Sequence, residues 1–219
     1  MSMSTRLASL GATALLVTAL AACTATTEEP APLPTTPVVQ LGAPGESNRT
    51  LSPEEAAALG SPDYVEEDVV FVRDMLHHHS QAIEMTGYVD ERSTDADVRM
   101  LAERMDVSQT AEIDQLEKWL QTRGEPARDP DAAHEHTAAS MPGLLTEDEL
   151  AQLKDAKGDA FDVLFLEFMI RHHQGAIQMV EALYAAGGGQ EADIDTFARH
   201  VEADQAIEIA RMQEMLAER

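Results

Sequence analysis

The sequence predicts an all-α protein, a four-helix bundle made of two repeated helical hairpins. Three observations predict it. Apolar residues recur every three or four positions along four long stretches, and no segment sustains the period-two alternation of a strand. Ser, Thr, Pro and Gly fall where helices need caps and stops. One stretch also occurs twice, which is the mark of a duplicated structural unit.

The first 22 residues read as an address. Arg6 is the only charge before the small and apolar run Leu7–Leu20, which is too short to span a bilayer stably. The run ends in Leu20-Ala21-Ala22-Cys23, which resembles a bacterial lipoprotein signal, and Cys23 is the single cysteine of the chain. Residues 1–22 are therefore expected to be a lipoprotein signal peptide and Cys23 the lipidated residue, which places the protein on the outer side of the cell membrane. Residues 23–60 then form a flexible acidic tether rich in Pro and Thr. Ser52-Pro53-Glu54-Glu55 gives that tether a short helix at its end, stopped by Gly60.

Residues 61–219 form the bundle. The first helical run opens at Ser61-Pro62 and reaches about Val89, and the second covers Thr94 to Gln121 and stops at Gly124. The capping box Thr146-Glu147-Asp148-Glu149 opens the third, read as continuing past Gly158 to Ala186. Gly187-Gly188-Gly189 ends it, and Gln190 to Arg219 forms the fourth. The repeat pairs Asp68–Met85 with Asp162–Met179 at an offset of 94, with nine of eighteen positions identical. Neither hairpin can bury its apolar stripe alone, so the two should pack about an approximate two-fold axis, with the first and third helices meeting at the centre.

Composition excludes several functions. Fifteen Lys and Arg against 40 Asp and Glu leave a net charge of −25, the wrong sign for nucleic acid as a partner. One cysteine allows neither a disulfide framework nor a thiolate zinc site. No nucleophile triad or phosphate-cradling loop is present.

What is present is a polar layer on otherwise apolar faces. At 100° per residue, Asp68, Met75 and His79 fall on the inward stripe of the first helix, with His78 and Met85 together on its flank. Asp162, Met169, His173, His172 and Met179 repeat the pattern on the third. Glu112 and Glu208 lie with Gln109 and Gln205 on the apolar seams of the second and fourth helices. Two chemistries fit. The residues form a hydrogen-bonded network that only fixes helix register, giving a structural or interaction module. Alternatively His78, His79, His172, His173, Met75, Met85, Met169 and Met179 hold a metal ion, with Asp68, Asp162, Glu112 and Glu208 in second rank. Imidazole with thioether, and no thiolate, suits copper, above all Cu(I). A metal-dependent oxidoreductase using a metal pair is a third possibility. Glu-x-x-His motifs would be needed for a di-iron site, and the chain offers only an outward and unrepeated Asp74-x-x-His77. His134 and His136 add a His-x-His in the loop between hairpins.

The residues Phe165-Leu-x-Phe-Met169-Ile-x-His172-His173-x-Gly175-Ala176-Ile177-x-Met179, preceded by Met141-Pro142-Gly143 and Gly158-x-x-Phe161-Asp162, resemble domain-of-unknown-function family 305 over residues 63–219. The resemblance implies a ferritin-like four-helix bundle, secreted or lipid-anchored, with some members implicated in copper binding and tolerance. It passes the metal role to Met75, His78, His79, Met85, Met169, His172, His173 and Met179. The first copy departs from the second in carrying Gln81 where the second has Gly175. The two copies are thus not expected to contribute equally. The function expected is binding and sequestration of copper outside the cytoplasm, by a protein tethered to the membrane through Cys23, without catalysis.

Overall fold

Side chains that answer orphaned backbone groups mark where most of the helices start. In a computed structural model, which describes residues 38–40, 45, 47–58, 62–127 and 141–219, the elements are β1 (Val38–Gln40), β2 (Arg49–Leu51), α1 (Pro53–Ala58), α2 (Glu66–Gly87), α3 (Val89–Arg92), α4 (Ala96–Arg123), α5 (Glu147–Asp155), α6 (Asp159–Ala186) and α7 (Ala192–Ala217). The all-α expectation holds for the body of the chain. Contacts divide it between Leu59 and Gly60 into two units.

In the first unit β1 and β2 pair antiparallel, Val39 opposite Thr50, where no strand was expected. Ser52 and Glu55 make the anticipated reciprocal cap of α1, with Glu55 N donating to Ser52 Oγ at 3.1 Å and Ser52 N to Glu55 Oε2 at 2.9 Å. The signal segment, Cys23, His134 and His136 lie outside the described residues.

In the second unit α2 starts at Glu66, later than the Ser61-Pro62 signal. Asp68 Oδ2 accepts the Val65 N–H at 3.0 Å and so holds Val65 extended. Asp95 caps α4 by accepting from Asp97 N and Val98 N at 2.8 and 3.1 Å, and Thr146 and Glu149 form the predicted box on α5. The third run is two helices, not one. Ala156 turns extended and Gly158 takes φ +58°, while its N–H donates to the Arg92 carbonyl at the end of α3 at 2.8 Å. A non-glycine residue would be strained there.

Helix α2 packs on α4, α6 on α7, and α2 on α6. The outer helices α4 and α7 meet through side chains at both ends. There Trp119 Nε1 and Arg123 Nη2 donate to Glu191 at 3.1 and 2.9 Å, and Arg219 reaches Asp95 at 2.8 Å. Two apolar clusters fill the interior. One gathers Phe71, Val72, Met75, Leu116, Trp119, Val180, Ile194 and Phe197, and the other Met85, Met105, Phe161, Phe165, Met169 and Met212. On each long helix the residues of the polar layer fall between the members of the two clusters.

A short strap, Met141–Leu145, crosses both central helices. On α6, a Cβ at Gly175 would fall inside the contact radius of the Pro142 carbonyl, and one at Gly143 would lie 2.7 Å from Arg171 O. On α2, Gln81 grips the strap with both ends of its amide: Leu145 N donates to Oε1 at 2.7 Å and Nε2 donates to Leu145 O at 3.0 Å. The repeat partners Gln81 and Gly175 therefore differ because they hold opposite sides of one segment. Gly175→Ala should cost about 1–3 kcal/mol, because the clash is with backbone. Gly87→Ala, where nothing lies within 4 Å, should be neutral or slightly stabilising. Urea denaturation of the two variants checks the contrast.

Candidate metal centre

His79 and His173 lie on the inward stripes of α2 and α6 with His78 and His172 on the flank, and all four are wholly buried. The His78 and His172 rings meet across the α2–α6 contact with centroids 3.8 Å apart and planes inclined by 38°. His79 and His173 sit beside them, 6.4 and 6.3 Å from their neighbours. Each of these outer rings reaches a carboxylate on its own hairpin. His79 Nε2 lies 2.6 Å from Glu112 Oε2, and His173 Nε2 lies 2.7 Å from Glu208 Oε2. The duplication seen in the sequence is thus a duplicated His–Glu pair flanking a central His–His pair. The Glu side chains keep 17% and 16% exposure, so each links a buried ring to solvent.

The remaining polar atoms are short of partners. His78 Nε2 bonds the Pro142 carbonyl at 3.2 Å. Nδ1 of all four histidines and Nε2 of His172 are buried with no hydrogen-bond partner, as are both amide atoms of Gln109 and Oε1 of Gln205. Buried polar atoms without partners are rare and costly in native interiors. Burial pushes the His78 imidazolium down to about 3, helped by the neighbouring His79 and resisted by the Pro142 carbonyl. Burial likewise drives His172 well below its ordinary value, helped by His78. These two rings are neutral near pH 7.

The methionines divide between the apolar clusters. Met75 and Met179 belong to one, Met85 and Met169 to the other, and each is buried. Every candidate of the first rank is therefore interior, and the imidazoles converge. Asp68 and Asp162 do not join them. They lie ten or more residues from the histidines, about 15 Å along the helix axis. Asp68 is engaged by Val65 N and, at 2.6 Å, by Gly189 N. Asp162 has Arg219 Nη1 at 3.5 Å, an ion pair too long for a hydrogen bond. Among the described residues no group of three or more His, Cys, Asp or Glu is gathered as a ready cage for an ion. The donor set is two paired imidazoles at the centre, two carboxylate-backed imidazoles and thioethers. The Pro142 carbonyl, a backbone atom of a loop, was not legible as a contributor from residue types.

Fold and site together define a helical protein with four buried imidazoles between two apolar clusters that contain the candidate methionines. The family described as "Domain of unknown function (DUF305)" matches residues 68–216, and the chain belongs to it. It is similar to a DUF305 fragment from Deinococcus radiodurans, at 32% identity and TM-score 0.63, over 72% of this chain and 100% of that one. It is also similar to a DUF305 protein from Streptomyces coelicolor whose description presumes secretion, at 30% identity and TM-score 0.63, over 69% and 93%. The fold is shared as well with CopM in its Cu(II)-bound form, at 24% identity and TM-score 0.58, over 69% and 96%. CopM has further structures with Cu(I) and with silver. No curated protein matches.

The neutral central pair has a consequence for acid stability. A histidine whose folded pKa lies below its unfolded value binds more protons when unfolded, so it opposes folding as pH falls through about 6.5. Stability of the metal-free protein should fall from pH 7 to pH 5 with a slope approaching roughly 1.4 kcal/mol per pH unit for each such ring. Denaturant midpoints at the two pH values measure it, and equal midpoints would mean that the rings are not held neutral.

Proposed function

We propose that the protein binds and sequesters copper outside the cytoplasm, tethered to the membrane through a lipid on Cys23. The observation that carries the copper reading is the set of buried imidazole nitrogens without partners at the α2–α6 contact, flanked by buried thioethers. Neutral imidazole and thioether are soft donors, and a dry apolar surround suits an ion of low charge such as Cu(I). The copper-bound CopM structures share this fold and agree with the reading. Copper is cargo here; the donors are His78, His79, His172 and His173 with Met75, Met85, Met169 and Met179. The tether rests on Leu20-Ala21-Ala22-Cys23, and no described helix is long and apolar enough to cross a membrane.

Anaerobic competition against a chromophoric Cu(I) chelator should show one or a few Cu(I) withdrawn per chain. His79→Ala/His173→Ala and His78→Ala/His172→Ala should withdraw none. Met75→Leu/Met169→Leu, which keeps core volume, should weaken binding while retaining the helical circular dichroism. Wild-type protein that competes no better than the double mutants ends the proposal. Cys23→Ser should move the protein from the detergent phase to the aqueous phase.

A second reading has its own support. The His79–Glu112 and His173–Glu208 bonds satisfy two rings without metal, as in a network that only fixes helix register. That reading expects no change of melting temperature with Cu(I), whereas an ion held only by the native state must raise it.

A further inference from the structure

We infer that Glu112 and Glu208 are positioning residues that present Nδ1, not Nε2, of His79 and His173 to the ion, and that the Pro142 carbonyl does the same for His78. The inference rests on the copper reading and names which atoms act in it. A neutral imidazole carries one N–H and one lone pair, and the partner of one nitrogen decides the role of the other. An ionised carboxylate only accepts, so at 2.6 and 2.7 Å the Nε2 of His79 and of His173 must donate. The Pro142 carbonyl also only accepts, so His78 Nε2 donates at 3.2 Å. A neutral ring whose Nε2 donates carries its lone pair on Nδ1, and the Nδ1 atoms of these three rings are the ones left buried without partners.

Three separate elements, α4, α7 and the strap, thus impose the same tautomer on three rings. The two copies of the repeat thus share one arrangement, and the strap extends it to His78. His172 is the exception, with neither nitrogen bonded. It is the ring tilted against His78, with centroids 3.8 Å apart. Outer partners of this kind orient ligands and raise their basicity, and their loss typically lowers metal affinity 10–100-fold.

Long-range proton–nitrogen correlation spectra of the metal-free full chain, labelled with 15N-histidine, read the tautomers directly. The rings of His78, His79 and His173 should all be Nε2–H, and adding Cu(I) should shift their Nδ1 resonances. Glu112→Ala/Glu208→Ala should give mixed tautomers at His79 and His173 and a 10–100-fold weaker Cu(I) affinity. Glu112→Gln/Glu208→Gln, whose amide oxygen still accepts, should restore the Nε2–H form and most of the affinity. Carboxylates with a purely structural role would leave the tautomers unchanged in the Ala variants, which overturns the inference. Nδ1–H rings in the metal-free wild type, or loss of the Nε2–H proton of His78, His79 or His173 on Cu(I) addition, overturn it too. Normal Cu(I) uptake with such spectra sinks this inference alone, whereas no uptake by wild type sinks the copper reading as well.

Discussion

Four imidazoles buried at the contact of two helices are the constraint around which the molecule is arranged. An imidazole in an apolar interior costs free energy unless its nitrogens are answered, and an imidazolium there costs far more. The chain answers the outer two rings with Glu112 and Glu208, each from the helix that pairs with the ring's own. It answers His78 with a loop carbonyl and leaves His172 unanswered. Such a layer is tolerable only because apolar clusters on both sides stabilise the contact. Phe71, Trp119 and Phe197 anchor one cluster, Phe161 and Phe165 the other.

Separating the core into two clusters also fixes where soft donors can stand. Methionine fills irregular space and packs like leucine, so Met75 and Met179 on one side and Met85 and Met169 on the other serve as core whatever else they do. The protein thus keeps both thioethers and imidazoles out of water. At the helix starts Asp95, the Thr146–Glu149 box and Glu191 supply caps.

The fold class, the duplication and most helix ends could be read from residue order, because caps and 3.6-residue periodicity are local effects. The stops at Gly124 and Gly187 and the box at Thr146 are of this kind. The misreadings have long-range causes. Gly158 separates α5 from α6 because its N–H is claimed by Arg92, more than sixty residues earlier. The Val38–Gln40 and Arg49–Leu51 pair is too short for alternation to register within a Pro- and Thr-rich stretch. Inward placement of His79 and His173 followed from periodicity, which put His78 and His172 on the flank, where they too are buried. Helical phase also put Asp68 and Asp162 on the inward stripe, but phase does not measure height along the axis, and height separates them from the rings. Which histidines would face each other across the copies was not legible, since it depends on how the hairpins dock.

The strap shows how far a duplicated molecule can remain symmetric. A lone peptide segment laid over two repeat-related helices has no mate, so whatever it touches must lose equivalence. Position 81 became a hook and position 175 a hole, and of two matched rings only one received the carbonyl. The halves are therefore no longer interchangeable: two copies of either hairpin alone would supply two hooks or two holes, and neither combination could seat the crossing.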